Sequence, residues 1–169
     1  MKVFAYSKGK FNRFMIEQGI DDSNVESYDI YAFISILDVT GLDCDGHFEE
    51  QHKNVKIQHF GDYGELDEGI LEGPGIFSHK QANELIEFIE ANKHKQIFIV
   101  HCTAGISRSG AIATFINDLY GNSYKEFFND NRQIQPNYTI LSRIREVYRK
   151  KYPMRTNNIS FNEAMNKME

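Results

Sequence analysis

Cys102 and Arg108 stand six positions apart, at the junction between an apolar run at residues 96–100 and a helical pattern that stops at Gly121. A positive environment lowers the pKa of a cysteine thiol, and the resulting thiolate is a nucleophile at neutral pH. An arginine guanidinium can donate two parallel N–H bonds to the oxygens of a phosphate group. These two residue types at this spacing therefore indicate a nucleophilic thiolate beside a bound oxyanion.

The intervening residues, 103–107, read TAGIS and form a short, flexible connection. Gly105 can adopt backbone angles that other residues resist. A helix that begins near Ser107 leaves backbone N–H groups unpaired at its start, and these groups attract an anion together with the helix dipole. A tight loop turns further N–H groups toward the same point. Phosphate is the ligand that such a cradle around Cys102 would suit.

Strand and helix patterns surround this loop and must position it. The run at 96–100 is typical of a central strand covered on both faces. Residues 31–39 are β-branched and aromatic, which indicates a buried strand, whereas the alternation at 54–60 indicates a strand near the sheet edge. Helices are predicted by capping residues and by apolar side chains at helical spacing over 10–19, 78–92, 107–120, 124–131 and 138–152.

The order of these elements is β-β-α-β-α-α-α, preceded by a short helix and a small strand at residues 2–6. This order predicts an α/β fold with a central, mostly parallel sheet flanked by helices, and with a phosphate loop between the central strand and a helix. A length of 169 residues suits a single domain over 1–169, with a polar, peripheral tail from about residue 154.

Composition and charge exclude several classes of protein. The net charge of −5 argues against extended nucleic-acid binding, which usually needs a basic face. No apolar run approaches the roughly 18 residues of a membrane span, and the start of the chain has no apolar core of signal-peptide length. Two cysteines, Cys44 and Cys102, form no disulfide framework. A reducing cytoplasm, no membrane contact and a monomer are therefore the expectations.

Residues 43–52 gather acidic side chains, two histidines and Cys44. Their spacing fits no metal-ligand pattern, so we expect a solvated loop and no metal site. Cys44 is a further candidate as the disulfide partner of an oxidised Cys102.

The segment 101–110, HCTAGISRSG, resembles the signature His-Cys-x-x-Gly-x-x-Arg-Ser/Thr of the cysteine-dependent protein tyrosine and dual-specificity phosphatases. Its part AGISRS is especially similar to the dual-specificity branch. Downstream, residues 132–141, RQIQPNYTIL, are similar to the Arg…Pro-Asn segment that precedes the last helix in that branch. The resemblance covers roughly residues 54–152.

The resemblance implies a role for each matching residue. Cys102 would attack phosphorus and form a cysteinyl-phosphate, Ser109 would hydrogen-bond the sulfur, and His101 and Asn137 would support the loop from outside. No metal or organic cofactor would be needed. The phosphate oxygens would be held by the Arg108 side chain and by the backbone amides of Thr103, Ala104, Gly105, Ile106, Ser107 and Arg108.

The resemblance also implies an aspartate as general acid, located after the strand that precedes the cysteine strand. A carboxyl group there can protonate the leaving oxygen and later activate water. Asp62 directly follows the predicted strand at 54–60, whereas Asp67 lies deeper in the glycine-rich stretch 61–77. Asp62 is favoured because extra loop length can bulge outward without moving the strand end, and Asp67 is the alternative.

A phosphoprotein or phosphopeptide is the expected substrate, which predicts a protein tyrosine phosphatase that could also have dual specificity. Phosphoinositide phosphatases of this superfamily often carry lysines inside the loop, where this chain has none. RNA 5'-triphosphatases share the cysteine loop but usually lack the aspartate, and RNA binding fits poorly with the acidic composition. The remaining alternative is a phosphoprotein-binding pseudophosphatase without turnover, a class that usually loses the cysteine, the arginine or the acid.

Overall fold

The structure is a computed structural model of the 169-residue chain, and it describes residues 1–39, 46–64, 75–121 and 123–153. Three predictions lie outside the described residues: the alternative acid Asp67, the role of Cys44, and the peripheral tail from about residue 154.

Within the described residues, four strands form one sheet, and every pair of neighbours is parallel. The order across the sheet is β1-β4-β2-β3. The predicted central strand is thus β4, between β1 and β2, and the alternating segment is the edge strand β3. The strands are β1 (Lys2–Ser7), β2 (Tyr31–Leu37), β3 (Val55–His59) and β4 (Ile97–Cys102).

Five α-helices connect and cover these strands in the described part of the chain. They are α1 (Lys8–Gln18), α2 (His79–Asn92), α3 (Arg108–Tyr120), α4 (Tyr124–Asp130) and α5 (Tyr138–Lys151). The side chains of Ser78 and Ser123 cap α2 and α4 by accepting bonds from the backbone N–H groups of Gln81 and Glu126. Ser78 and Gln81 together form a complete capping box. The first helix begins at Lys8, two residues before its predicted start, because the Ser7 side chain caps it there.

The sheet is apolar on both faces, as the continuous apolar strands predict. Ala32, Ile34 and Val100 pack in a cluster with α2, α3, α4 and α5. The intervening residues Phe33 and Ile99 pack in a second cluster with α1. The α/β fold class, with helices on both faces of a parallel sheet, is therefore confirmed. No helix of the described residues is long and apolar enough to cross a membrane.

Side-chain amides satisfy both outer edges of the sheet. On β1, the buried Asn131 accepts a bond from Ala5 N at 2.7 Å and donates to Val3 O at 2.9 Å. On β3, the Gln51 side chain pairs with both the N–H and the C=O of Ile57. Each side-chain amide thus pairs backbone groups that a further strand would otherwise pair, namely Val3 O and Ala5 N on β1 and the N–H and C=O of Ile57 on β3.

Parallel strands end at the same edge of a sheet, and this decides where the chemistry lies. β4 ends at Cys102, β2 ends just before Asp38, and β3 ends three residues before Asp62. The start of α3 and the residues before α5 reach the same edge. The carboxyl edge of the sheet therefore gathers segments that are far apart in the sequence.

Candidate active site

The cysteine loop, residues 102–108, curls from the end of β4 to the first residue of α3. Gly105 lies at its bend with φ of 74°, in the left-handed region. A Cβ atom at this position would come within 2.3 Å of Ser7 N and 2.5 Å of Tyr6 C. The loop thus packs directly on the end of β1, and both its backbone angle and this close approach require glycine.

Backbone carbonyls of the cysteine loop are hydrogen-bonded from outside. Because a trans peptide unit is planar, a carbonyl that points outward directs the following N–H inward. The N–H groups of Ala104, Ile106, Ser107 and Arg108 therefore face the interior of the loop. The outside donors are Lys8 N to Thr103 O (3.2 Å), Gln133 Nε2 to Gly105 O (3.3 Å), Gln135 N to Ile106 O (3.1 Å) and Asn137 N to Ser107 O (3.2 Å).

Cys102 lies at the floor of this loop and is 2% exposed. Its Sγ accepts a bond from Gly105 N at 3.3 Å and lies 3.2 Å from Ser109 Oγ. The Ser109 hydroxyl can donate to a thiolate, because a hydroxyl hydrogen rotates to suit its acceptor. Gly105 N–H and the Ser109 hydroxyl can thus both donate to this sulfur.

Arg108 is 6% exposed, and both terminal nitrogens of its guanidinium are hydrogen-bonded. NH1 donates to the Asp38 carboxylate and, at 2.9 Å, to Phe60 O, while NH2 donates to Thr103 Oγ1 at 3.0 Å. Nε is buried without a hydrogen-bond partner within the described residues. A buried N–H that is left unpaired is costly, so Nε marks a position where an oxyanion would be bound favourably.

Asp38 belongs to this site although it was absent from the predicted site residues. Its carboxylate accepts from Arg108 and, at 3.4 Å, from Thr103 Oγ1. The sequence prediction ran the strand over residues 31–39, so Asp38 was counted inside it, whereas the observed strand ends at Leu37 and Asp38 follows directly. What the sequence could not provide was the order of the sheet, which places β2 beside β4.

Asp62 extends over the cysteine loop from the segment after β3. Its Oδ1 accepts from Ser107 Oγ at 2.6 Å and from Asn137 Nδ2 at 2.8 Å. Both bonds go to the same oxygen, so a proton on Oδ2 is compatible with them. The structure thus places Asp62 and Asn137, both predicted, in contact with each other and with the loop.

His101 lies behind the loop on the α1 side of the sheet and is fully buried. Its Nε2 is 2.9 Å from Ser35 Oγ, and its ring stacks on Phe11 with centroids 4.0 Å apart. Burial, with a smaller effect from the Lys8 charge, lowers the pKa of His101 to about 3. His101 is therefore neutral at physiological pH and braces β4.

Clusters of metal-ligating side chains and surface cavities are the other features that could hold a ligand. No group of three His, Cys, Asp or Glu side chains in the described ranges is arranged to hold a metal ion. Cavities of about 330 and 550 Å³ lie around Met1 and Lys2 at the opposite edge of the sheet, and no residue of the cysteine loop lines them. Among the described residues, Cys102, Arg108, Asp38 and Asp62 lie together at the carboxyl ends of the strands.

Several solved structures resemble this fold, and two of them are described here. No family model matches the chain, and no curated protein matches it. The human tyrosine phosphatase-like serine/threonine/tyrosine-interacting protein is 18% identical, with 78% of this chain and 86% of that chain covered and a TM-score of 0.43. PTPMT1 in complex with PI(5)P is 13% identical, with 88% and 91% covered and a TM-score of 0.43. At these identities the likeness concerns the fold alone.

Proposed function

We propose that the protein is a cysteine-dependent phosphomonoesterase, and specifically a protein tyrosine phosphatase, open to dual specificity, that works through a cysteinyl-phosphate. The observation that carries the proposal is the buried Nε of Arg108, which has no partner among the described residues, in a loop whose N–H groups face inward around Cys102. A tetrahedral dianion with three terminal oxygens is the ligand that can pair with this set of donors.

In the first step, the terminal oxygens of the substrate accept bonds from the inward N–H groups and from Arg108. The Cys102 thiolate attacks phosphorus, so the S–P bond forms as the P–O bond to the leaving group breaks. Asp62 gives the proton on its carboxyl group to the leaving oxygen. The alcohol or phenol leaves, and the phosphoryl group stays on Cys102.

In the second step, water attacks the phosphorus of the cysteinyl-phosphate. The Asp62 carboxylate takes a proton from this water as the new O–P bond forms and the S–P bond breaks. The Ser109 hydroxyl, 3.2 Å from Sγ, donates to the departing sulfur and stabilises it as thiolate. Inorganic phosphate then leaves, and the protein returns to its starting protonation.

Exchange of the nucleophile tests the proposal directly. Cys102→Ser should abolish turnover of p-nitrophenyl phosphate, because a serine hydroxyl is not ionised at neutral pH, while phosphopeptide binding should remain. Cys44→Ser, the same exchange at the other cysteine, is the matched control and should remain active. Binding of phosphopeptides by the wild-type protein without any turnover would instead establish a phosphoprotein-binding module.

Phosphoinositides and RNA 5'-triphosphates are the competing substrates. The side chains in the loop between Cys102 and Arg108 are uncharged, so the loop offers no extra cation for a second phosphate group. We therefore propose phosphotyrosine as the preferred substrate, ahead of phosphoinositides and RNA 5'-triphosphates. Initial rates on a phosphotyrosyl peptide, a phosphoseryl peptide, a soluble phosphoinositide and a triphosphorylated RNA, at equal concentration, test this ranking.

A further inference from the structure

A cavity of about 550 Å³ opens at the amino ends of β1 and β4, at the opposite end of the strands from the cysteine loop. Its volume is within the range of about 300–1,000 Å³ that is usual for small-molecule sites. None of the described residues that line it is acidic, whereas Glu126 and Asp130 line the neighbouring cavity of about 330 Å³. We call the larger one the lysine cavity, and its lining includes Lys2, Lys93, Lys95, Gln96, Ile97 and Tyr120.

The backbone around the lysine cavity is held by the sheet and by α2. Lys2 N donates to Gln96 O at 2.9 Å, and Lys2 lies beside Ile97 in the parallel register of β1 and β4. Lys95 N donates to Asn92 O, also at 2.9 Å, at the end of α2. Because these backbone positions are fixed by the fold, ligand binding would cost little beyond the ordering of the lysine side chains.

Lys95 is the most informative residue of this cavity, because its side chain is only 10% exposed. The apolar stem of a lysine is easily buried, but the ammonium group carries three donors that need partners. Within the described residues this ammonium makes no hydrogen bond, and its ion-pair partner there is the Asp29 carboxylate, 3.7 Å away and 91% exposed. An ion pair with so exposed a partner contributes little, so Lys95 keeps its donors for a ligand.

The other two lysines differ in what holds them. Lys93 Nζ is 3.4 Å from Glu90 Oε2, and the dipole of α2 stabilises a cation at this end of the helix without any ligand. Lys2 has no ion pair within the described residues and reaches the cavity from β1, so the dipole of α2 does not explain it. Three lysines thus face two carboxylates, those of Asp29 and Glu90, and the cavity keeps a positive excess.

We propose that the lysine cavity binds a small anion with two or more phosphate groups, either an inorganic polyphosphate or a nucleoside polyphosphate. Ammonium groups bind phosphate oxygens through charge-assisted hydrogen bonds, and lysines from two segments can contact more than one phosphate group. The ring of Tyr120 adds an aromatic face on which a base can pack. This second anion site lies outside the cysteine loop and does not depend on the phosphatase function proposed above.

The test is calorimetric titration of pyrophosphate and of ADP into Arg108→Met, a variant that removes the guanidinium from the cysteine loop. Both anions should still bind. On this background, Lys95→Gln should raise the Kd about tenfold, the scale of one lost hydrogen bond to a charged group, whereas Lys95→Arg should retain binding. Lys2→Gln should raise it about threefold, because Lys2 is exposed. Tighter binding of ADP would identify a nucleoside polyphosphate, and equal affinities would identify the phosphate groups alone.

Lys150→Gln is the matched control, since Lys150 is 71% exposed on α5, where it pairs with Glu146, and it should leave the Kd unchanged.

Urea unfolding shows whether each variant is folded, and if Lys95→Gln is not, the exchange of the exposed Lys2 decides. No binding of either anion to Arg108→Met, or the same Kd in the Lys2, Lys95 and Lys150 variants, would overturn the proposal. Lysine-dependent binding of an acidic peptide in place of both anions would also overturn it and would assign the cavity to a protein partner. Binding is measured without turnover, so a failure of the proposed phosphatase function is a separate result.

Discussion

The Arg108 guanidinium is held at both of its terminal nitrogens. NH1 donates to the Asp38 carboxylate and to Phe60 O, and NH2 donates to Thr103 Oγ1, whereas Nε has no partner within the described residues. These bonds fix the plane of the guanidinium, so less side-chain entropy would be lost if the proposed oxyanion binds. They also leave Nε as the N–H that the proposed anion would pair.

In the proposed mechanism, Asp62 is the residue that gives the proton to the leaving group. Asp62→Asn should lower kcat about 10²–10⁴-fold on a phosphotyrosyl peptide, because an amide cannot give a proton to the leaving oxygen. Steady-state rates on this peptide measure the effect.

The control for this exchange is Asp29→Asn, since Asp29 is 91% exposed and lies far from the loop in the fold, near Lys95. Near-wild-type turnover by Asp62→Asn, together with a large loss in Asp67→Asn, would reassign the general acid to Asp67.

His101 makes stability depend on pH in a defined window. Its pKa is about 3 in the folded chain against about 6.5 when unfolded, so the unfolded state binds the extra proton between these values. This contribution to stability is complete above pH 6.5 and is lost as the pH falls toward 3. Between pH 7.5 and 5 the loss amounts to about 2 kcal/mol.

Urea unfolding of wild type and His101→Gln at pH 7.5, 6 and 5 measures this effect. The variant should start less stable, because it loses the stacking on Phe11, but its free energy of unfolding should fall less between pH 7.5 and 5. Parallel losses in the two proteins would show that His101 is not the titrating group.

At the scale of elements, Asn137 joins three parts of the fold. Its Oδ1 caps α5 by accepting from Ile140 N at 3.1 Å, and its own N–H donates to Ser107 O of the cysteine loop. Its Nδ2 donates to Asp62 Oδ1 and to Tyr63 O, each at 2.8 Å. One residue thus connects the start of α5, the cysteine loop and the segment that carries Asp62.

Asn137→Ser separates these roles, because serine keeps a side-chain oxygen for the cap but has no amide to reach Asp62. We expect kcat to fall about tenfold or more on phenyl phosphate, whose leaving group needs the proton, as Asp62 loses its position. The loss on p-nitrophenyl phosphate should be smaller, because its leaving group departs more easily without a proton.

Asn137→Ala is the companion variant, because it removes the cap as well. Asn137→Ala should lower the free energy of unfolding by about 1 kcal/mol more than Asn137→Ser does. The ratio of kcat on phenyl phosphate to kcat on p-nitrophenyl phosphate should be similar in the two variants. Equal losses on both esters in the serine variant would show that Asn137 has only a structural role. The ratio of the two rates is therefore the informative measurement.

At the scale of the whole molecule, the parallel sheet brings the residues of the site together. These residues come from the ends of β2, β3 and β4 and from the segment before α5. Asp62 is 45 positions from Ser107 and 75 from Asn137 in the sequence, and it is hydrogen-bonded to both. Asn131 and Gln51 hydrogen-bond backbone groups on the outer strands β1 and β3. The contacts between the strand ends depend on the order of the strands, because this order sets which ends are neighbours.

Much of this organisation could be predicted from the sequence, because it is encoded locally. Hydrophobic spacing and capping residues predict the helices, and the uninterrupted apolar run predicts β4 as a central strand. The run from His101 to Ser109 contains the nucleophile, the loop, the arginine and the hydroxyl within nine positions. Chemistry that lies within one turn of chain can be deduced without knowing the fold.

Only the tertiary structure decided the contacts between distant segments. The order β1-β4-β2-β3 placed Asp38 on Arg108, and the packing of residues 133–137 around the loop placed Gln133 on Gly105 O. Neither the sheet order nor the path of an irregular segment follows from local propensity, because both are selected by the burial of the entire core. The sequence by itself predicted Cys102 as the nucleophile and the short loop around it, whereas the fold decided which carboxylates and amides surround them.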